Sequence, residues 1–261
     1  MPGALIEIDG LSKSFDGGQS FAVRDARVRV RPGALVALVG GSGSGKTTLL
    51  KSINRLIEPD SGEVRIEGEP VGRAEAPSLR RRIGYVFQDI GLFPHMSVAE
   101  NIGITPQLLG WQQQEITARI AELLDLVGLP QSYASRFPAA LSGGERQRVG
   151  VARAIAARPK IVLMDEPFGA LDPITRDALG SAYRALHEKL GLTTIMVTHD
   201  VQEAVLLADE IVVMKRGRVL AQDIPRALLA DAAHPDVRAL MAMPKRQAER
   251  IRAVIGEGER P

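Results

Sequence analysis

Leu35-Val36-Ala37-Leu38-Val39-Gly40-Gly41-Ser42-Gly43-Ser44-Gly45-Lys46-Thr47-Thr48 is the stretch on which the reading of the fold turns. Its first five residues are apolar throughout, as in a short parallel strand buried on both faces. From Gly40 to Thr47 the residues fit G-x-x-x-x-G-K-[ST], after an apolar strand and before a helical stretch that begins near Lys46. That context is what the pattern requires. The glycines let successive backbone N–H groups point inward at a polyphosphate, and the helix N-terminus adds positive potential. Lys46 reaches the terminal phosphates, Thr47 can ligate Mg²⁺, and Thr48 extends the contact surface. The plain alternative, a Gly/Ser-rich turn entering a helix, does not account for the full match in its full context.

Ile161 to Met164 and Thr194 to Val197 are two further short apolar runs suited to a parallel sheet. The first leads into Asp165 and Glu166. On a strand neighbouring the cradle, Asp165 can hold Mg²⁺ through water and Glu166 can polarise the attacking water. Ala4 to Asp9 and Ala22 to Val30 alternate apolar and polar residues around a Phe15-Asp16-Gly17-Gly18 turn, which predicts an antiparallel opening sheet. Ile116, Ile120, Leu123, Leu124 and Val127 fall on one helical face, and Asp172-Pro173 reads as an N-cap followed by Pro at the first helical position. The expected fold is α/β with a parallel sheet and an N-terminal antiparallel β-subdomain. A mostly helical insertion lies between Tyr85 and Phe137, approximately residues 89–140. One domain is expected over residues 1–243, ending in short helices after a hairpin at Lys215-Arg216-Gly217, and a charged tail over 244–261.

Bulk properties narrow the function classes. The 261 residues are 45% hydrophobic, ordinary for a globular protein, and 33 basic against 31 acidic residues give a net charge of +2. So balanced a charge argues against a nucleic-acid-binding surface. With no cysteine, disulfides and thiolate metal sites are excluded. No stretch approaches the ~18 apolar residues of a membrane span, and Met1 to Gly10 lacks the pattern of a secretory leader. A cytoplasmic protein is expected.

Leu141-Ser142-Gly143-Gly144-Glu145-Arg146-Gln147-Arg148 reads physically as a capping box, Ser142-x-x-Glu145, opening a helix. It also resembles the signature motif of ABC-type ATPases, whose resemblance covers nearly the whole chain and implies a P-loop NTPase core. Gln88 in Phe87-Gln88-Asp89 matches the glutamine that senses Mg²⁺ and the attacking water while facing the membrane partner. Asp172 in Ala170-Leu171-Asp172 matches the loop that crosses the dimer interface, and His199 in Val197-Thr198-His199-Asp200 matches the switch histidine at the γ-phosphate. Phe15 stands where the family usually puts an aromatic ring against adenine, although phenylalanine there also suits a core. Glutamine is more common at the signature position of Glu145, whose role stays open.

The resemblance implies two ATPs, each with Mg²⁺, sandwiched between two copies or two homologous ATPases. The cradle of one and Ser142, Gly143, Gly144 and Glu145 of the other would enclose each nucleotide. It further implies catalysis by Glu166, His199, Lys46 and Gln88, metal contacts from Thr47, Gln88 and Asp165, integral membrane permease subunits, indirectly a solute-binding protein, and a peripheral place on the cytoplasmic face of the membrane. Ser52 to Pro59, Ile83 to Tyr85 with Ile90 to His95, and Pro106 to Trp111 look like the ATPases of osmoprotectant importers for glycine betaine, choline and related quaternary amines. Several of those relatives add a pair of CBS modules, for which too few residues follow the hairpin. Arg80-Arg81-Arg82 reads as a solvated helix face. Within transport, the alternatives are another small solute, such as an amino acid, or lipid trafficking. A DNA-repair or chromosome ATPase would interrupt the two motifs with long heptad repeats, a translation factor would carry two such domains, and a non-hydrolysing binding module would lack Glu166 or His199.

Overall fold

The computed structural model describes residues 3–88, 91–169 and 171–257. Strands Ile6–Lys13 (β1) and Val23–Val30 (β2) lie with one face dry, whereas Leu35–Val39 (β3) is buried at every position. Helix Lys46–Ile53 (α1) follows, then strands Ser61–Ile66 (β4) and Glu69–Pro70 (β5), helix Ala76–Arg81 (α2) and strand Ile83–Val86 (β6). Helices Val98–Leu108 (α3), Gln113–Leu126 (α4) and Gly143–Ile155 (α5) precede strand Ile161–Asp165 (β7). Helix Pro173–Leu190 (α6), strand Thr193–Val197 (β8), helix Val201–Leu207 (α7) and strands Glu210–Lys215 (β9) and Arg218–Asp223 (β10) come next. Helices Pro225–Asp231 (α8), Pro235–Met241 (α9) and Met243–Glu257 (α10) close the described chain. The charged segment expected as a tail from residue 244 thus lies in α10 as far as Glu257, and residues 258–261 fall outside the described residues.

An antiparallel sheet of order β2-β1-β4-β5 packs against a second sheet of order β10-β9-β3-β8-β7-β6, in which all but β10 run parallel. The three strands expected from apolar runs are present, lengthened by Asp165 and Thr193. One placement differs from expectation: β7 is not the neighbour of β3, because β8 lies between them. β1 also starts and ends later than the alternation suggested, since Gly10, at φ 62°, marks a register shift that keeps Leu11 in the core.

Side chains of β3 divide by the two-residue period. Leu35, Ala37 and Val39 join one core with α5, α6 and the helical insertion, while Val36 and Leu38 join another with α1 and the antiparallel sheet. The insertion contains α3 and α4 and two short turns, Gln131–Ser135 and Pro138–Ala140. Ile116, Leu123, Leu124 and Val127 are buried as expected, and Ile120 packs partly buried beside them. Fully buried Asn101 pins the segment before α3: its Oδ1 accepts from Phe93 N–H at 2.8 Å and its Nδ2 donates to the carbonyls of Phe93, Met96 and Ser97. Arg80 and Arg82 are exposed, as expected of a solvated face, and Arg80 also donates to the carbonyls of Asn54 and Arg55 just past α1. Among the described residues no helix is long and apolar enough to cross a membrane.

Candidate functional site

The cradle occupies the turn between β3 and α1, and two of its glycines are forced by contact. A Cβ on Gly40 would stand 2.1 Å from the carbonyl oxygen of Met214, and one on Gly45, at φ 100°, 2.1 Å from that of Ala22. Gly41, Ser42 and Gly43 are exposed, with Ser44 buried beneath them. Lys46 is buried, and its Nζ donates to the carbonyls of Gly40 at 2.8 Å and Gly41 at 3.0 Å. Burial lowers its pKa, partly offset by the charges of Glu166 and Asp165. A desolvated ammonium at a ring of backbone N–H groups and a helix N-terminus is suited to a polyanion.

Thr47 Oγ1 donates to Asp165 Oδ1 at 2.8 Å, and Lys51 Nζ approaches Asp165 Oδ2 at 3.8 Å. Thr48 is half-buried, its carbonyl accepting from Ser52 Oγ. β8 separates the cradle strand from β7, yet α1 still brings Thr47 to Asp165. The buried Tyr85 hydroxyl has no hydrogen-bond partner, and burial, then the charge of Asp165, holds it protonated far above the usual phenol range. Two hard oxygen donors suit Mg²⁺, which takes few protein ligands and completes its shell with water and phosphate oxygens. No cluster of three or more acidic, His or Cys side chains able to hold a metal occurs among the described residues.

Glu166 sits directly past β7 at φ 46°, a strained conformation for a non-glycine residue, with its N–H donating to Val197 O at 3.0 Å. This turn aims its carboxylate at the end of β8, where His199 Nδ1 lies 3.1 Å from Glu166 Oε2. Gln88 is exposed at the exit of β6, whose register with β7 pairs Val86 with Met164 and so sets Gln88 on the same rim. Asp89, Ile90 and Ala170 lie outside the described residues. Phe15 is 67% exposed with Lys13 Nζ 5.6 Å from its ring centroid, so the core alternative is overturned.

The expected capping box is formed at α5. Glu145 N–H donates to Ser142 Oγ at 3.3 Å and Ser142 N–H to Glu145 Oε2 at 2.7 Å, while Tyr133 Oη donates to Glu145 Oε1 at 3.0 Å. These bonds, that of the Ser142 backbone foremost, hold the carboxyl below its ordinary range. Gly143 leads into the helix, and a Cβ on Gly144 would meet Thr175 Cγ2 at 2.8 Å. Asp172 caps α6, accepting from Ile174 and Thr175 N–H at 3.1 and 3.0 Å. Among the described residues no hydrogen bond joins residues 142–145 to the cradle, to Asp165 and Glu166, or to His199. The structure therefore gathers the residues of the cradle, Asp165, Glu166 and His199 at one rim of the parallel sheet, while the signature helix N-terminus packs on Leu171 and Thr175. Sequence reading missed Lys51, Tyr85, Arg176 and Glu203 near this edge; Lys51 and Arg176 stand four residues after Thr47 and Asp172, one helical turn along, which is the signal that could have found them.

Residues 23–169 match the ABC transporter family. The chain is 50% identical over 234 residues to the glycine betaine uptake system ATP-binding protein YehX of Escherichia coli, covering 90% of this chain and 75% of that one. It is 46% identical to the choline transport ATP-binding protein OpuBA of Bacillus subtilis, covering 88% of this chain and 60% of that protein. Among solved structures, the dimeric post-hydrolysis state of the ATP-binding cassette MJ0796, bound to ADP and Pi, superposes with a TM-score of 0.76 at 31% identity, over 84% of this chain and 98% of that one. A phosphate cradle at the edge of a parallel sheet, a paired Glu166 and His199, and these similarities together place the chain in the ABC transporter family, among its ATP-binding proteins.

Proposed function

We propose that this chain is the ATPase subunit of an importer for quaternary-amine osmoprotectants such as glycine betaine or choline. The observation that carries the hydrolytic part is the convergence of the cradle, the Thr47–Asp165 pair and the Glu166–His199 pair on one edge. The backbone N–H groups of Gly40 to Gly45 and Lys46 bind the phosphates, Thr47 and Thr48 sit beneath them, and Phe15 offers its exposed face to adenine. Thr47, Asp165 and Gln88 would hold Mg²⁺, which when bound neutralises charge on the phosphate oxygens. Glu166 orients or deprotonates the attacking water. His199, whose Nδ1 faces Glu166 Oε2, presents Nε2 to the γ-phosphate.

Ser142, Gly143, Gly144 and Glu145 act across an interface with a second copy or a homologous ATPase, and Asp172 lines that interface. That no hydrogen bond among the described residues ties the α5 N-terminus to the cradle supports this reading, as do the dimers of a similar cassette. The domain spans residues 1–243 with a helical insertion at approximately 89–140, beside a C-terminal segment over 244–261. Integral membrane permease subunits, and through them a solute-binding protein, complete the system at the cytoplasmic face of the membrane. Gln88 and exposed Phe93 lie on the partner-facing side.

The names of the relatives support the quaternary-amine cargo. A second reading, import of an oxyanion, is favoured by 49% identity over 214 residues to a sulfate/thiosulfate import ATP-binding protein of Gloeobacter violaceus. Uptake of labelled glycine betaine and of labelled sulfate by cells carrying this chain with its membrane subunits separates the two. ATP-dependent betaine uptake that Lys46→Ala abolishes is expected; sulfate uptake alone would overturn the cargo.

A further inference from the structure

Three loops meet behind the Glu166–His199 pair, and one side chain touches two of them. Arg176 stands on α6 one turn beyond Asp172, its N–H closing that turn on Asp172 O at 2.9 Å. Its Nη2 donates to Leu171 O at 3.1 Å and, more weakly, to Gly169 O at 3.5 Å. Its Nη1 lies 3.4 Å from Asp200 Oδ2, on the residue that follows His199. Asp200 in turn caps α7 through Oδ1, which accepts from Gln202 and Glu203 N–H. The circuit closes on the reacting groups: Gly169 N–H donates to Glu166 O at 3.2 Å, and Glu166 Oε2 meets His199 Nδ1.

We infer that Arg176 is a positioning residue whose fork braces Gly169, Leu171 and Asp172 against the Asp200 turn, so that contact of a second copy at Asp172 is passed to His199 and Glu166. The inference rests on the ATPase reading above and adds to it a named transmitter.

Guanidinium geometry suits the task, because its planar fork addresses two carbonyls and a carboxylate at once where an ammonium is a single point. The surroundings leave room for a second arrangement. Arg176 and Glu203 both line a cleft of about 360 Å³ between α6 and α7. Arg176 Nε and Glu203 Oε1 are buried with no partner, while the other oxygen of Glu203 accepts from Thr198 Oγ1, two residues from Asp200. Unused donor and acceptor capacity in one network marks a place where another set of bonds can form. Coupling through such a network is reciprocal and typically amounts to about 5- to 150-fold.

The test uses the full chain with Arg176→Ala, Arg176→Lys, Asp200→Asn, and the Arg176→Ala/Asp200→Asn double variant. Asparagine keeps the cap acceptor of α7 and removes only the charge that faces Arg176. Each single variant is expected to lower kcat about tenfold, with the ATP KM within about twofold and the unfolding midpoint unchanged. Lysine retains the ion pair but not the fork, so Arg176→Lys should turn over no faster than about twice the alanine variant. The double variant should be no slower than the worse single one, since both break the same link. Losses that multiply to about a hundredfold, full activity in Arg176→Lys, or a kcat loss that tracks a lowered midpoint would overturn the inference. Wild-type turnover separates the two levels: if it is absent the ATPase reading fails and the inference with it, whereas normal wild-type turnover with multiplying losses removes only the role of Arg176.

Discussion

Glu145 shows how a side chain of uncertain role acquires one from its partners. One oxygen accepts from Ser142 N–H and the other from Tyr133 Oη, so the carboxylate caps α5. Glu145→Gln preserves an acceptor for Ser142 N–H and should change stability by under about 0.5 kcal/mol, whereas Glu145→Ala should cost about 1 kcal/mol in denaturant unfolding. The pH dependence has a definite sign. Because folding lowers the Glu145 pKa, the stabilisation is complete above the ordinary glutamate value, about 4.3, and is lost as pH falls through the lower folded value. The glutamine variant should lose that acid-side slope, measured as stability at pH 7 against pH 4; an unchanged slope would assign it to other carboxylates such as Asp172. Lys46 belongs to the same scale. Lys46→Ala removes the buried ammonium and should lower phosphate release at least about a hundredfold while unfolding stays cooperative. Normal turnover in that variant would remove the cradle from the mechanism.

Elements carry these residues, and their packing sets what a substitution costs. β6 lies so close to α5 that a Cβ on Gly84 would stand 2.4 Å from the Ala154 carbonyl oxygen. Gly84→Ala should therefore destabilise by about 1–3 kcal/mol, read from the denaturant midpoint, and displace the sheet edge that carries Gln88. A neutral effect would mean that the edge strand is free to shift. The same strand shows the limits of sequence reading. β3, β7 and β8 were legible because five consecutive buried positions make an unbroken apolar run. β6 was hidden by its glycine, whereas β9 and β10 form the hairpin expected around Lys215-Arg216-Gly217. Strand order was not legible at all: nothing local in Leu35 to Val39 says that β8 rather than β7 lies beside it. Within the site, Lys46, Thr47 and Asp165 were readable from spacing and His199 from the family resemblance, and the structure gathers the four at one rim of the parallel sheet. Tyr85 was not readable, since it takes its meaning from Asp165 far along the chain.

At the scale of the whole molecule, the proposed sandwich draws on two features of one chain, the cradle and the α5 N-terminus, supplied by different copies. ATP shifts an open population to a closed one only by binding the closed one more tightly, so dimer closure is the step that hydrolysis must reset. Glu166→Gln keeps the shape of the Glu166–His199 pair and removes its basicity, which should slow the chemical step by about 10²–10⁴-fold and let the closed dimer accumulate. Ser142→Arg, added to that variant, places a bulky side chain at the exposed N-terminus of α5, where the opposite nucleotide must dock. Light scattering behind size exclusion, on both proteins with and without ATP, is the most direct measurement. The account predicts a dimer only for Glu166→Gln with ATP, and a monomer that still binds nucleotide for the double variant. An ATP-dependent dimer in the double variant, or none in Glu166→Gln where the wild type turns over, would contradict it.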